Sequence, residues 1–478
     1  MRLRKVRFII NNNHTFFCSH PHNRSYMLKK LTSFFILFII TITPLTVKSY
    51  TLDFEVVADT VILENLDTNT RIYTKNLSID ELKYSKKPPA DNPDRRYPAS
   101  LTKIMTAIIV LENAVDLDEK VTVTEDALNP LLGTGVVTAA LIKDEEVKIR
   151  DMLYMILVMS GADAANALAI RFGGSFDGFV KLMNDRAKAL GMHKTHFTNA
   201  HGLHDDNHYS TAEDIFIMAK HALTLPLFAD IVKSSSYKFE ATNKHQARSY
   251  QSTNFMLLVN DIHYYEPIKG IKTGFTAEAG RCLLSIATKD GYNYMALIMG
   301  TPDNTVRRNR QEFTDTRKLY EWAFKNLRHK TIATSNEVME TLPLKNAWGK
   351  DTIQLIPAKE LIAILPKDRL GTDLNPKFFP SSPEVYAPVK KGDVLGYMEY
   401  RYGKDNEVIG RVDLVAAESI DRNFFAAIFA SLSKFFSGPI FITLMIIAAL
   451  LIITLITINI ITNNRRKRLR NLKRIKKQ

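Results

Sequence analysis

Apolar positions change their period several times along the chain. Val61-Ile62-Leu63 and Arg71-Ile72-Tyr73 flank Asp67-Thr68-Asn69, which predicts a β-hairpin. Asn76 to Arg96 is polar and carries Pro88, Pro89 and Pro93, which predicts an extended loop. From Leu101, the residues Ile104, Met105, Ile108 and Leu111 trace one helical face. Helical patterning then dominates to about Leu225, interrupted at Gly133-Thr134-Gly135 and at Gly173-Gly174. Two strand-like runs, Cys282–Thr288 and Tyr292–Met299, are joined by Lys289-Asp290-Gly291, and Phe313 to Phe324 again predicts a helix. Strands at both ends with helices between imply an α/β (α+β) fold. Its antiparallel sheet is closed by the first and last segments and carries a helical subdomain.

Residues 331–417 change to short alternating runs, which predicts a small β domain. Phe424, Phe425, Ile428, Phe429, Leu432 and Phe436 then recur at helical spacing, as an interfacial stripe or as a plain helical extension. Phe435 to Asn464 carries no charge and is long enough to cross a bilayer of about 30 Å. At the other end, an apolar run from Leu31 to about Leu45 follows Lys29-Lys30 and ends near Val47-Lys48-Ser49. That pattern predicts a signal peptide cleaved before Tyr50, or an uncleaved anchor. Met27 would start a leader of ordinary length, leaving residues 1–26 as an over-extended start. The expected divisions are 1–49, 50–330, 331–417, 418–464 and a basic tail at 465–478.

The formal charge of +14 changes meaning once it is mapped. The first 30 residues hold seven Lys and Arg and the last 14 hold nine, with no acid in either, so residues 31–464 sum to −2. The basic charge therefore belongs to membrane topology and gives no argument for nucleic acid. The tail is expected in the cytoplasm and the body outside the membrane. Cys18 falls in the leader and Cys282 is alone in the mature chain, so no internal disulfide is expected there.

Candidate chemistry lies in three short motifs. Ser100-Leu101-Thr102-Lys103 opens a helix, Ser160-Gly161 ends an apolar stretch, and Lys272-Thr273-Gly274 precedes a strand-like run. Serine and lysine three apart on a helix share a face, so an amine can take the proton of a hydroxyl nucleophile. A second hydroxyl can relay protons, and a Lys-Thr pair on a strand edge can hold an anion. Ser-x-x-Lys alone is weak evidence: it recurs at Ser235/Lys238 and Ser431/Lys434, and ordinary usage yields roughly two or three copies by chance. Order, spacing and flanking residues carry the weight.

Those flanks, Tyr97-Pro98-Ala99-Ser100-Leu101-Thr102-Lys103-Ile104-Met105-Thr106-Ala107 and Gly270-Ile271-Lys272-Thr273-Gly274-Phe275-Thr276, closely resemble the D-alanyl-D-alanine carboxypeptidases, the low-molecular-mass penicillin-binding proteins. The resemblance runs from about Val61 to about Val415 and includes Asn199-Ala200-His201-Gly202-Leu203 and Ser210-Thr211-Ala212-Glu213-Asp214. It implies the fold shared by serine β-lactamases and penicillin-binding proteins. It also implies roles: Ser100 as nucleophile, Lys103 as general base, Ser160 as proton relay, Lys272 and Thr273 as carboxylate binders, and backbone amides of Ser100 and Phe275 as oxyanion hole. Gly274 would let substrate backbone approach the strand. The implied substrate is the peptidoglycan stem pentapeptide, with β-lactams as inhibitors and no cofactor.

The sequence departs from the family at Ala162, where asparagine is common two residues after the relay serine, and Asn166 lies too far along to replace it. Many relatives also grip the carboxylate with an arginine before the last helix. Arg307, Arg308 and Arg310 lie nearby, but Glu312 falls on the matching position. His193, His196, His201, His204 and His208 with Asp205 and Asp206 fit no zinc spacing, so no metal is expected. Three other readings stay open: a β-lactamase, a transpeptidase or endopeptidase, and a non-catalytic wall-binding scaffold.

Overall fold

A computed structural model describes residues 50–88, 92–367, 374–402 and 407–475. The expected leader lies outside the described residues. Five antiparallel strands form the main sheet: β1 (Thr60–Asn65), β2 (Thr70–Asn76), β3 (Ile268–Thr276), β4 (Gly280–Lys289) and β5 (Tyr292–Thr301), in the order β2-β1-β5-β4-β3. The N-terminal hairpin therefore closes against the last strand, with Val61 opposite Ile298 and Leu63 opposite Ala296.

β1, β4 and β5 carry near-continuous apolar runs because both faces of the sheet are covered there, and the period of two sorts each side chain. Val61, Leu63, Leu283, Ala296 and Ile298 face one core with Phe313, Leu319 and Tyr320 of helix Gln311–Asn326. Ile62, Leu284, Met295 and Leu297 face the other, with the helical subdomain. Tyr320 anchors the first layer: its hydroxyl accepts the Ala296 N–H at 3.0 Å and donates to Ser285 O at 2.8 Å.

The helical subdomain centres on α1 (Lys103–Asn113), whose first eight residues are all buried, packed against α2 (Ala162–Gly173). Gly173-Gly174 ends α2, with Gly174 at φ +70°, as a left-handed helix cap requires. One stretch departs from the helical reading. Lys120–Thr122 and Glu146–Lys148 pair as a two-stranded ribbon, because Val121 and Val147 are buried between exposed neighbours. Period two wins there over the helical text on either side.

After Asn326, a six-stranded sheet of short alternating strands forms a separate core around Ile353, Leu355, Val412 and Leu414. Two helices follow, Phe424–Phe436 and Pro439–Ile475.

Candidate active site

Ser100 lies in a 3₁₀ turn, Ala99–Thr102, that runs directly into α1. The turn is under strain, since Ala99 has φ +47° without being glycine. Three contacts hold it. Gly202, at φ +84°, lies so close that an added Cβ would fall 1.9 Å from Ala99 O. An added Cβ at Gly274 would meet Ala99 Cβ and Ser100 N at 3.2 Å. The bare α-carbon of Gly274 therefore accommodates the serine turn itself, bringing the Ser100 backbone beside that of Gly274-Phe275. The third contact is a hydrogen-bond chain. His208 Nδ1 accepts the Thr198 N–H at 3.0 Å, which leaves Nε2–H to donate to Thr102 Oγ1 at 2.7 Å. The Thr102 hydroxyl then donates to Ala99 O at 2.7 Å.

Lys103 Nζ lies 3.1 Å from Ser100 Oγ and donates to His201 O at 2.6 Å. Its side chain is 0% exposed. Burial first, then the Lys272 cation, pushes the amine well below the usual lysine range, against an opposing pull from Asp163. A neutral amine has two N–H donors and one lone pair. With one donor on His201 O, the lone pair is available to the Ser100 hydroxyl.

Ser160 caps a π-helical turn, Met155–Met159, in the left-handed conformation at φ +73°, and lines the same cavity as Ser100. Asp163 organises its surroundings: the carboxylate accepts N–H groups of Ala139, Leu141 and Ala164 at 2.8–2.9 Å. Ala162 is fully buried, and its N–H donates to Val137 O at 2.8 Å, which ties the loop across this position. Asn166 points elsewhere and donates to Ala127 O at 3.0 Å.

Strand β3 is the sheet edge that faces this cluster. Thr273, Gly274 and Phe275 line the cavity of about 520 Å³, along with Ser100, Ser160, Thr253 and His204. Thr273 and Thr253 hydroxyls meet at 2.6 Å. Lys272 is 1% exposed and donates to Thr273 O at 2.9 Å, and burial brings its amine down to about 7. The cavity wall thus carries Ser100, Ser160, Thr273, Gly274 and Phe275, with the two lysines behind it.

Two arginines also line the cavity: Arg310, one of the three near the expected place, and Arg281, which no sequence signal marked. Arg281 sits opposite Phe275 in the β3–β4 register, with its guanidinium 4.5 Å from the ring centroid, and pairs with Asp303 at 2.7 Å. Arg310 is held by Glu312, whose side chain is buried, through Nε at 2.6 Å and Nη2 at 2.5 Å. Glu312, on the position expected for an arginine, therefore orients one. Arg307 pairs instead with Asp261 at 2.6 Å.

The histidines have structural duties. Burial pulls His201 and His208 down to about 3, so both are neutral, and His201 Nδ1 accepts the Leu203 N–H at 3.1 Å. No group of three His, Cys, Asp or Glu suited to a metal occurs among the described residues. Cys282 is buried, which pushes its thiol up to about 12.

Comparison with known proteins gives the family. Residues 88–303 match the family model described as D-alanyl-D-alanine carboxypeptidase, and residues 328–422 match that of the penicillin-binding protein 5 C-terminal domain. The chain is 30% identical over 373 residues to the D-alanyl-D-alanine carboxypeptidase DacF of Bacillus subtilis, covering 76% of this chain and 86% of that one. Over 338 residues it is 28% identical to DacC of Escherichia coli, covering 69% and 79%. The crystal structure of penicillin-binding protein 5 from Haemophilus influenzae shares the fold, with TM-score 0.62 and 24% identity over 78% of this chain and all of that one. With the serine, the buried amine and the Lys-Thr-Gly edge gathered at one cavity, the chain belongs to the D-alanyl-D-alanine carboxypeptidases, a family of serine-type hydrolases and penicillin-binding proteins that work through an acyl-enzyme.

Proposed function

We propose that Ser100 is the acylated residue and that the substrate is the D-Ala-D-Ala end of peptidoglycan stem pentapeptides. The observation that carries this is the buried Lys103 amine at 3.1 Å from Ser100 Oγ, with its charged form disfavoured by burial and by Lys272. Lys103 takes the hydroxyl proton as Oγ attacks the penultimate D-Ala carbonyl. The Ser100 and Phe275 amides receive the oxyanion. Ser160 passes the proton to the departing D-alanine nitrogen, and water then hydrolyses the ester.

The terminal carboxylate binds at the Thr253–Thr273 hydroxyl pair, under the charge of Lys272 and within reach of Arg281 and Arg310. Two cavity arginines compensate for the glutamate at position 312. The proposed division is a catalytic unit at 50–330 and a β unit at 331–417, held by the C-terminal helix with the catalytic unit outside the membrane and the tail at 465–478 in the cytoplasm. β-Lactams acylate Ser100 because they mimic D-Ala-D-Ala. The test is mass spectrometry of the protein after penicillin and after a D-Ala-D-Ala pentapeptide. The expected result is one adduct on the Ser100 peptide and release of one D-alanine. An adduct of equal yield in Ser100→Ala overturns the assignment.

A further inference from the structure

The cavity continues past the reacting centre along β3, and its character changes there. Thr276, Ala277 and Glu278 line it beyond Phe275, facing Leu203 and His204. If the carboxylate sits at Thr273 and the reacting carbonyl at Phe275, as in the reading above on which this inference rests, the upstream substrate residues run toward Glu278. Three residues of extended strand span about 10 Å, and the turn after Thr276 shortens this. A side chain of four or five bonds on the residue preceding D-Ala-D-Ala covers that gap.

Glu278 has its side chain only 17% exposed, and its Oε1 accepts the Lys86 ammonium at 3.0 Å. Lys86 is 66% exposed, so its ammonium faces solvent while resting on a fixed carboxylate. The fixing is by backbone: Lys86 N donates to Glu278 O at 2.7 Å, and Ala279 N donates to Thr276 Oγ1 at 3.0 Å. Arg281, only three residues on, does not share this end. Arg281 pairs with Asp303 and Arg310 with Glu312, whereas Glu278 pairs with Lys86. Among the described residues, the cavity lining thus carries Arg281 and Arg310 as its cations and, beyond Phe275, Glu278 as its one carboxylate.

We propose that Glu278 is a specificity residue that binds a free ω-amino group on the substrate residue preceding D-Ala-D-Ala, with Lys86 standing in for that ammonium in the empty site. An acylated amine, as in a cross-linked stem, carries neither the charge nor the full set of donors, so the enzyme favours uncross-linked stems.

The full-length protein in detergent is given Nα-acetyl-L-Lys-D-Ala-D-Ala and its Nα,Nε-diacetyl counterpart, and the ratio of the two kcat/KM values is read. The expected wild-type ratio is about three- to ten-fold in favour of the free amine, the range a half-screened ion pair delivers. Glu278→Gln brings the ratio close to one, and Lys86→Ala raises it by removing the competing cation. A wild-type ratio of one or less, or an unchanged ratio in Glu278→Gln, overturns the subsite. Should Glu278→Gln not fold, an unchanged ratio in Lys86→Ala overturns it equally. A penicillin adduct on Ser100 with a ratio of one removes the subsite alone. Absence of both adduct and hydrolysis removes the carboxypeptidase reading and the subsite with it.

Discussion

In the proposed mechanism Lys103 and Lys272, which share one electrostatic neighbourhood, are needed in opposite states. The base must be neutral, so it works above its lowered pKa. The anion binder must be charged, so it works below its own, which burial brings to about 7. The kcat/KM profile for a D-Ala-D-Ala peptide is therefore expected to be bell-shaped, with the falling limb near 7 set by Lys272 in the free enzyme. The limb moves upward in kcat, because bound carboxylate keeps the ammonium charged. Lys272→Met is expected to abolish that limb. It also removes a cation next to Lys103, so the base becomes easier to protonate and the rising limb shifts to higher pH. A pH series of kcat/KM for wild type and variant checks both signs. A rising limb that moved to lower pH would contradict the coupling. Replacing the base itself, Lys103→Met, is expected to slow penicillin acylation by about 10²- to 10⁴-fold, the usual worth of a positioned base. Stopped-flow acylation kinetics read it.

The nucleophile turn shows what elements contribute beyond motifs. Ala99 holds a left-handed conformation only because β3, the Asn199–Leu203 loop and the His208 chain press on the turn from separate sides. Gly202 is the tightest of these contacts. Gly202→Ala is expected to cost more than the ~1–2 kcal/mol of a left-handed alanine, since its methyl also collides with Ala99 O. Gly191 also has a positive φ of +89°, but open space around it, so Gly191→Ala is expected to cost only the conformational part. Thermal melts combined with penicillin acylation rates separate the two: Gly202→Ala loses both stability and rate, Gly191→Ala stability alone. Equal effects of the two on acylation would mean the loop does not set the turn. The three motifs and the strands β1, β2, β4 and β5 were legible in the sequence because each is local: a helical spacing, a period of two or a short unbroken string. Strand β3 was not, and the Lys272-Thr273-Gly274 expected before a strand lies within it. The ribbon at Lys120–Thr122 and Glu146–Lys148 was not, because two three-residue strands carry too little periodicity to outweigh helical neighbours. Arg281 escaped for another reason. Nothing near it marks an anion site until the β3–β4 register sets it opposite Phe275.

For the molecule as a whole, the deciding feature is a long helix whose most apolar stretch is unburied. One unbroken helix among the described residues, Pro439–Arg470, is apolar enough to cross a bilayer: its most apolar 18-residue window has mean hydropathy 2.9 and none of that window is buried. In water, so much exposed apolar surface would drive aggregation; in lipid it satisfies its own backbone and needs no partner. Its 32 residues span about 48 Å, more than the ~30 Å hydrocarbon core, so the span tilts or its C-terminal turns emerge with the arginines. Phe424, Phe425 and Phe436 of the preceding helix are also exposed, consistent with a segment lying at the interface. Nine Lys and Arg after Asn464 resist translocation, which supports the proposed topology, with the tail in the cytoplasm and the cavity on the opposite side. Variants with one introduced cysteine test this in a Cys18→Ser background, since native Cys282 is buried and contributes little labelling. An impermeant maleimide applied to intact spheroplasts is expected to label Lys391→Cys, in an exposed turn of the β unit, and to leave Gln478→Cys unmodified until the membrane is permeabilised. Labelling of Gln478→Cys in intact spheroplasts would invert the topology and place the cavity where no peptidoglycan reaches it.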